Sequence, residues 1–463
     1  MTLTTAPAAD LADLDPGDVP ILRTEIPGPV SRSVRARENR HASPGLSALA
    51  VLSGLAVDAG YGALVRDVDD NVFIDFSSGT VVTVTGHSHP TVVARIKDEL
   101  DRFVHIYDYG SRARADFFES LAAVMPAGLD RFQMFSSGAE TVEAGLRLAK
   151  AHTGNHEFIS LYRGFHGKTL GAMSLMGGGY KKGFGPTASG FFLTPNAYCY
   201  RCPLGLTYPS CGVACADFIQ NVFEQESTGA VAAVVAEPIQ GAGGVIVPPP
   251  EFLPKIQEFC RRNGILLFID EVLTSAGRTG KLWASEHYDV QPDIMTLGKG
   301  IGSGFPLGVV ASTEEIMSRW PWAQPNGGTS TYGGSPVSAA AGLATLLALA
   351  EENLVENAAL VGAHMKLRLQ EMQARHACMG DVRGQGMLMA VEFVRDRDTK
   401  ERISDHEAAL LYRELVGRGV LVSSATAIMR ITPPLVLGKA LADRGLDIFD
   451  EALTAFENRV GIG

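Results

Sequence analysis

Lys299 stands in "IMTLGKGIGSGFPLG", directly after an apolar run and among glycines. An amine there is poorly solvated, which lowers its pKa and makes it a better nucleophile toward a carbonyl. The glycines leave room for a planar group over it. A phosphate-binding P-loop does not fit, because no Gly-x4-Gly-Lys-Ser/Thr order is present. Asp270 closes the apolar run "GILLFID". A carboxylate buried there is costly unless it meets a cation or a donor. A structural ion pair or a helix cap reads as well as a functional partner. Phe165 and His166 lie in "LYRGFHGKT", after another run. An aromatic there could stack on a flat ligand, and a packing Phe beside a surface His is the plainer alternative. In "FSSGAETVEAG" a Ser-Ser-Gly turn leads into a helix near Ala139. Gly138 lets the backbone come close to a ligand, and the free N–H groups and dipole of a helix start favour phosphate. A plain serine cap explains the same residues.

All four groups follow apolar runs, so the elements that position them are strands. "RFQMFS", "EFISLY", "GAVAAVVAE", "GILLFID", "DIMTLG" and "PLGVVAS" are near-continuous apolar runs, and helical segments such as "AETVEAGLRLAKAH" lie between them. Such runs are expected of a parallel sheet covered on both faces. Alternating strands and helices predict an α/β fold with a mostly parallel sheet over residues 75–335. Residues 61–76 predict a β-hairpin. After 336 longer helical segments appear, with "MLMAVEFV" and "AIMRITPPL" as strands. Residues 336–463 therefore read as a smaller α+β domain, joined by an N-terminal tail and hairpin over 1–74.

In open α/β sheets ligands bind at the carboxyl ends of the strands. A phosphate cradle, a stacking aromatic, a buried carboxylate and a strand-end lysine together match the needs of pyridoxal 5′-phosphate. The lysine would form the Schiff base, and the aspartate would keep the pyridine nitrogen protonated so that the ring draws electrons.

The chain resembles the class III (subgroup II) pyridoxal-phosphate-dependent aminotransferases of fold type I. The resemblance rests on "IDF" with "GHSHP", "SSGAETVEA", "GFHG", "AEPIQG", "DEV" with "GRTG", "LGKGIGSGFPLG", "STYGGSP" and "RITPPL". These occur in the family's order and cover about residues 60 to 440. The resemblance implies that Lys299 is the Schiff-base lysine and proton shuttle, and that Asp270 pairs with the pyridinium. It implies that Gly138 and Ala139 give N–H groups to the phosphate, and that Phe165 stacks on the ring beside His166. Glu237 would lie near the cofactor. Thr331 would reach the phosphate held by a neighbouring subunit, which implies a homodimer with shared sites, or a tetramer of such dimers. Arg430 would grip a substrate carboxylate through its bidentate fork. Thr80, Val81 and the loop 105–110 would line the side-chain pocket.

Two departures from the family pattern bear on substrate. Leu273 stands where the family has a glutamine that contacts the cofactor's phenolic oxygen, and Ala242 stands where ω-amino-acid aminotransferases carry a glutamate that pairs with the carboxylate-binding arginine. Without that glutamate Arg430 stays available, which favours substrates with a carboxylate beside the reacting amine over 4-aminobutyrate or ornithine. The implied activity is amino transfer between an amino acid or amine and a 2-oxo acid. Amino-acid racemases and epimerases are similar in sequence and form the alternative. A dialkylglycine-type decarboxylase fits less well, because Thr80 stands where that enzyme has glutamine.

Net charge is −11, from 40 basic and 51 acidic residues. That argues against nucleic acid or an anionic membrane surface as the main partner. The first twenty residues are acidic and Ala/Pro-rich and read as a flexible tail rather than a signal peptide. The longest apolar stretch, 336–350, is too short for a membrane span and reads as a buried helix. A cytoplasmic location is the resulting expectation. Cys199, Cys202, Cys211 and Cys215 stand as C-x2-C, eight residues, C-x3-C. Pyridoxal chemistry needs no metal, so no catalytic metal is expected. Four thiolates at this spacing suit a structural zinc. Free thiols or a disulfide remain the alternatives.

Overall fold

The computed structural model describes residues 8–462, which fall into two compact units, Thr91–Asn353 and residues up to Pro90 with Leu354 onward. These divisions lie later than the 74/75 and 335/336 boundaries expected from sequence. The reason for the second is the helix Pro336–Glu351. It is apolar on all sides and buried nearly throughout, within the core of the larger unit. A helix without a polar face must sit inside.

The larger unit is built on seven strands: β1 (Arg131–Phe135), β2 (Glu157–Leu161), β3 (Phe191–Thr194), β4 (Val231–Ala236), β5 (Leu266–Glu271), β6 (Ile294–Leu297) and β7 (Gly308–Ser312). They lie in the order β1-β7-β6-β5-β4-β2-β3. β7 runs antiparallel to both its neighbours, and the other pairs are parallel. β1 therefore points the same way as β6, and the carboxyl ends of the six like-directed strands share one edge.

Alternation along the strands explains why the runs are wholly apolar. Val234, Ala236, Leu267 and Ile269 join one core cluster, while Ala233, Val235, Leu266 and Phe268 join another. Successive side chains point to opposite faces, so a strand covered on both faces needs apolar residues at every position. One cluster is closed by α2 (Phe252–Asn263), which buries Phe252, Ile256 and Phe259. The other is closed by α1 (Gly138–Thr153), with Val142, Leu146 and Ala149.

In the smaller unit the predicted hairpin forms from Leu64–Asp67 and Val72–Phe76. Val420–Val422 adds to it in parallel, so both ends of the chain share one sheet. A second sheet pairs Leu388–Asp396 with Met379–Gln385 and with Ile428–Ile431. Residues 1–7 of the expected flexible tail lie outside the described residues. From there on the tail expectation is overturned. Leu11 and Val19 are buried, and Ile21 exchanges both backbone hydrogen bonds with Val72. Two well-spaced apolar side chains in an otherwise polar segment are enough to anchor it. Among the described residues no single helix is long and apolar enough to cross a membrane.

Candidate active site

The carboxyl edge of the large sheet gathers the polar groups that the sequence places at strand ends. Asp270, on β5, lies beside Thr296 of β6 in the parallel register. Its Oδ1 accepts from Thr296 Oγ1 at 3.1 Å and from the Val272 amide at 3.0 Å. Its Oδ2 meets His166 Nδ1 at 2.7 Å. Both residues are almost wholly buried. His166 is thus not a surface residue, as its plainer reading had it, but the partner of the carboxylate. Burial disfavours its cationic form, yet the hydrogen bond and charge of Asp270, with the charge of Glu237, hold its pKa above the ordinary value.

Glu237 follows β4 and is buried beside this pair. Its Oε1 accepts from the Phe165 amide at 2.9 Å and its Oε2 from the Gly241 amide at 2.9 Å. Burial pushes its pKa up to about 7, offset by His166, added to by Asp270 and offset again by the two amides. One side chain therefore clamps the turn carrying Phe165 to the "IQGAGG" loop. Phe165 meets Tyr180 edge-on, with ring centres 5.0 Å apart. The Tyr180 hydroxyl donates to the Ala242 carbonyl at 3.1 Å, and Leu273 packs against Gly241.

Lys299 is half-buried directly after β6 with φ at 43°. A non-glycine residue with positive φ is uncommon, and such strain concentrates at functional positions. Three segments meet around it. A Cβ on Gly138 would lie 2.6 Å from Val272 Cγ1. One on Gly298 would lie 3.1 Å from the same methyl group and 3.6 Å from Gly138 Cα. The turn before α1, the end of β5 and the end of β6 therefore touch, and only glycine fits at Gly138. Gly167, at φ 132°, sits as closely against Ala139. Ser137 caps the helix by accepting from the Glu140 amide, and the amides of Gly138 and Ala139 head it beyond the reach of intrahelical bonding. This glycine cradle at a long helix's N-terminus, beside a paired buried carboxylate and a strand-end lysine, fits a phosphate-bearing pyridine cofactor.

Of the proposed substrate residues, Thr80, Val81 and Arg430 belong to the smaller unit and the loop 105–110 to the larger. Ser78, Gly79, Thr80 and Val81 have φ of 45°, 59°, 69° and 67°. Two β-branched residues in a left-handed turn are true outliers. Asp75 holds the turn by accepting from the Ser77 and Ser78 amides while pairing with His87. Ser78 Oγ donates to the Thr432 carbonyl at 2.7 Å, and the Thr432 amide donates to Phe76. Thr432 lies two residues after Arg430, whose Nη2 donates to the Ser423 carbonyl at 2.9 Å. Thr331 is exposed in the larger unit, beside Ser330, which donates to Glu140.

Sequence reasoning missed Thr296, Val272 and Tyr180. Thr296 had a signal, as the one polar residue in the apolar strand "IMTL". The left-handed turn had none, since Thr and Val disfavour that conformation.

The four cysteines lie apart from this site. All four line one cavity with Tyr198, Tyr208 and Pro249. Burial and the neighbouring thiols raise the pKa of Cys199, and for the same reasons that of Cys215 rises to about 11. Among the described residues no three His, Cys, Asp or Glu side chains are already grouped to hold a metal ion.

Fold and site together define a pyridoxal-phosphate enzyme of fold type I, and comparison with known proteins gives the family. The family model for class-III aminotransferases matches residues 49–453. The chain is 36% identical over 440 residues to 4-aminobutyrate aminotransferase of Mycobacterium bovis, covering 92% of this chain and 96% of that protein. It is 34% identical over 404 residues to leucine/methionine racemase of Thermococcus litoralis, covering 86% and 90%. A pyridoxal-phosphate-bound amine transaminase from an uncultivated Pseudomonas species superposes with a TM-score of 0.85 at 30% identity, covering 90% and 98%. The chain belongs to the class-III aminotransferases, and it is a pyridoxal-phosphate-dependent transaminase.

Proposed function

We propose that the chain moves an amino group from an amino acid, or an amine bearing a nearby carboxylate, to a 2-oxo acid, with Lys299 and Asp270 as its catalytic residues. The observation that carries this reading is the buried His166–Asp270 pair set beside the glycine cradle and Lys299. When bound, pyridoxal phosphate supplies an electron sink for the pair of electrons left at the substrate Cα.

The residues of the chain supply the rest. The Gly138 and Ala139 amides, with the α1 dipole, would hold the phosphate. Asp270 is held as an acceptor by Thr296 and Val272 and paired with His166, and it would meet the pyridine nitrogen of the cofactor. Phe165 would stack on the ring, and Glu237 fixes Phe165 through its amide. Lys299 Nζ takes the proton from the substrate Cα as a general base. Arg430 binds the substrate carboxylate, and the Ser78–Val81 turn shapes the pocket for its side chain. The absence of a glutamate at Ala242 supports a substrate whose carboxylate lies next to the reacting amine. Thr331 contributes to the site of a second copy, so the working unit is a homodimer. The net charge and the apolar, buried nature of the 336–351 helix support a cytoplasmic enzyme.

The test is a comparison of wild type with Lys299→Ala, using a panel of amino acids and amines with a 2-oxo acid. Lys299→Ala should lower kcat/KM by about 10² to 10⁴-fold or more. It should also remove the visible absorbance that borohydride bleaches in the wild type. Retention of full turnover by Lys299→Ala would remove Lys299 from its role.

A further inference from the structure

We propose that Cys199, Cys202, Cys211 and Cys215 form a structural zinc site that staples the loop between β3 and β4. The four are not scattered thiols. They belong to one short segment, "CYRCPLGLTYPSCGVAC", yet they face one cavity together with Asn196, Val213 and Pro249. That cavity has about 10 Å³ of free space. This is about one water-sized sphere, too small for any organic ligand and suited to a single ion.

The backbone is arranged to bring the two cysteine pairs together. Cys199 opens a single turn of 3₁₀ helix, and Cys202 begins a tight turn closed by the Gly205 amide to its carbonyl at 3.1 Å. The Cys211 amide donates to Thr207 at 2.9 Å, and the Cys211 carbonyl accepts from Ala214 at 3.1 Å. Between Cys211 and Cys215 the chain turns through Gly212 at φ 57° and Val213 at φ 61°. A β-branched residue in that conformation is costly, and it persists only where the surroundings impose it. Here Val213, Cys215 and Ala216 are anchored in the sheet's core cluster, and Lys255 of α2 holds the Gly212 carbonyl at 2.8 Å.

All four cysteines line the cavity, and among the described residues no three are grouped to hold an ion as they stand. Cys199 is exposed, Cys202 and Cys211 are half-buried, and Cys215 is buried. Binding requires the four sulfurs to converge on one point. Four soft thiolates at this spacing select a tetrahedral thiophilic dication, zinc above harder ions. Binding releases thiol protons as the thiolates form. The site is distant in role from the cofactor residues, so its loss should act on stability.

Holoenzyme purified without chelator, in reductant and with added Zn²⁺, should carry about one zinc per chain, with a sulfur-only coordination shell by X-ray absorption. Stripping the metal from the intact holoenzyme should lower the unfolding temperature, leave initial amino-transfer rates within about twofold, and be reversed by Zn²⁺ with proton release. Cys202→Ser with Cys211→Ser should abolish stoichiometric zinc. Absence of stoichiometric zinc under these conditions, a disulfide within the four under reductant, or iron in place of zinc would each overturn the proposal. So would zinc retained in full by the double variant.

Discussion

Asp270 shares two carboxylate oxygens among three donors, and this sharing keeps it an acceptor of fixed orientation in a buried setting. His166 supplies positive character on one side, and Thr296 with Val272 supplies neutral donors on the other. Asp270→Asn keeps the shape but removes the charge that opposes a pyridinium. Its expected result is a kcat/KM lower by roughly 10² to 10⁴-fold, the range for losing a group that sets protonation in the transition state. Steady-state kinetics with bound cofactor checked by absorbance tests it. Glu237 gives a pH prediction. Its folded pKa, about 7, lies above the unfolded value of 4.5. Its contribution to stability is therefore fully present below about pH 4.5, and it is lost as the pH rises through about 7. Urea melts of Glu237→Gln should lack this part of the decline between those values. An unchanged pH dependence in the variant would count against the assignment. At this scale the sequence was legible where a charged residue ends an apolar run, as Asp270 does and as Lys299 does one glycine later, whereas His166 read as well as a surface residue. Thr296 was overlooked because threonine is ordinary in strands, and its hydroxyl is meaningful only through the register that sets it beside Asp270.

At the scale of elements, two turns carry the proposed binding roles. The first joins β1 to α1, where Gly138 lies against Val272. Gly138→Ala places a Cβ 2.6 Å from Val272 Cγ1. Overpacking of this kind costs about 1–3 kcal/mol. The amides of the helix start must shift with it, so cofactor affinity should fall together with stability. Adding Val272→Ala should restore stability, as read by thermal melts with and without cofactor. The second is the left-handed turn Ser78–Val81. Thr80→Gly removes strain of about 1–2 kcal/mol and adds about 0.5–1 kcal/mol of unfolded-state entropy. The apo-protein should be unchanged or slightly more stable, while substrate discrimination relaxes. A loss of stability with unaltered discrimination would show that Thr80 is structural. The large sheet was readable because double coverage imposes apolar runs. The antiparallel direction of β7 was not, because "PLGVVAS" has the same composition as its parallel neighbours. The turn was not readable either, because the tertiary tether of Ser78 to Thr432 and the His87-held Asp75 carboxylate override local preference.

Over the whole molecule, the proposed cofactor residues belong to the unit Thr91–Asn353, while Thr80, Val81 and Arg430, the residues proposed to meet substrate, belong to the other. The motif order along the chain made the family legible, since eight short segments each fall at a turn or strand end. The boundaries were less so. The helix Pro336–Glu351 follows a change in texture but packs with what precedes it. The proposed homodimer gives the prediction for this scale. Thr331→Ala should speed cofactor loss without altering the dimer, as measured by cofactor release and by sedimentation. Unchanged release would place Thr331 outside the site.

Relatives at 36% and 34% identity include both an aminotransferase and a racemase, so the fate of the Cα proton is the central question. The direct measurement incubates holoenzyme with one enantiomer of an amino acid, without any 2-oxo acid, and follows both enantiomers by chiral chromatography. Amino transfer predicts 2-oxo acid equal to the number of active sites and no opposite enantiomer. Turnover that accumulates the opposite enantiomer would contradict it.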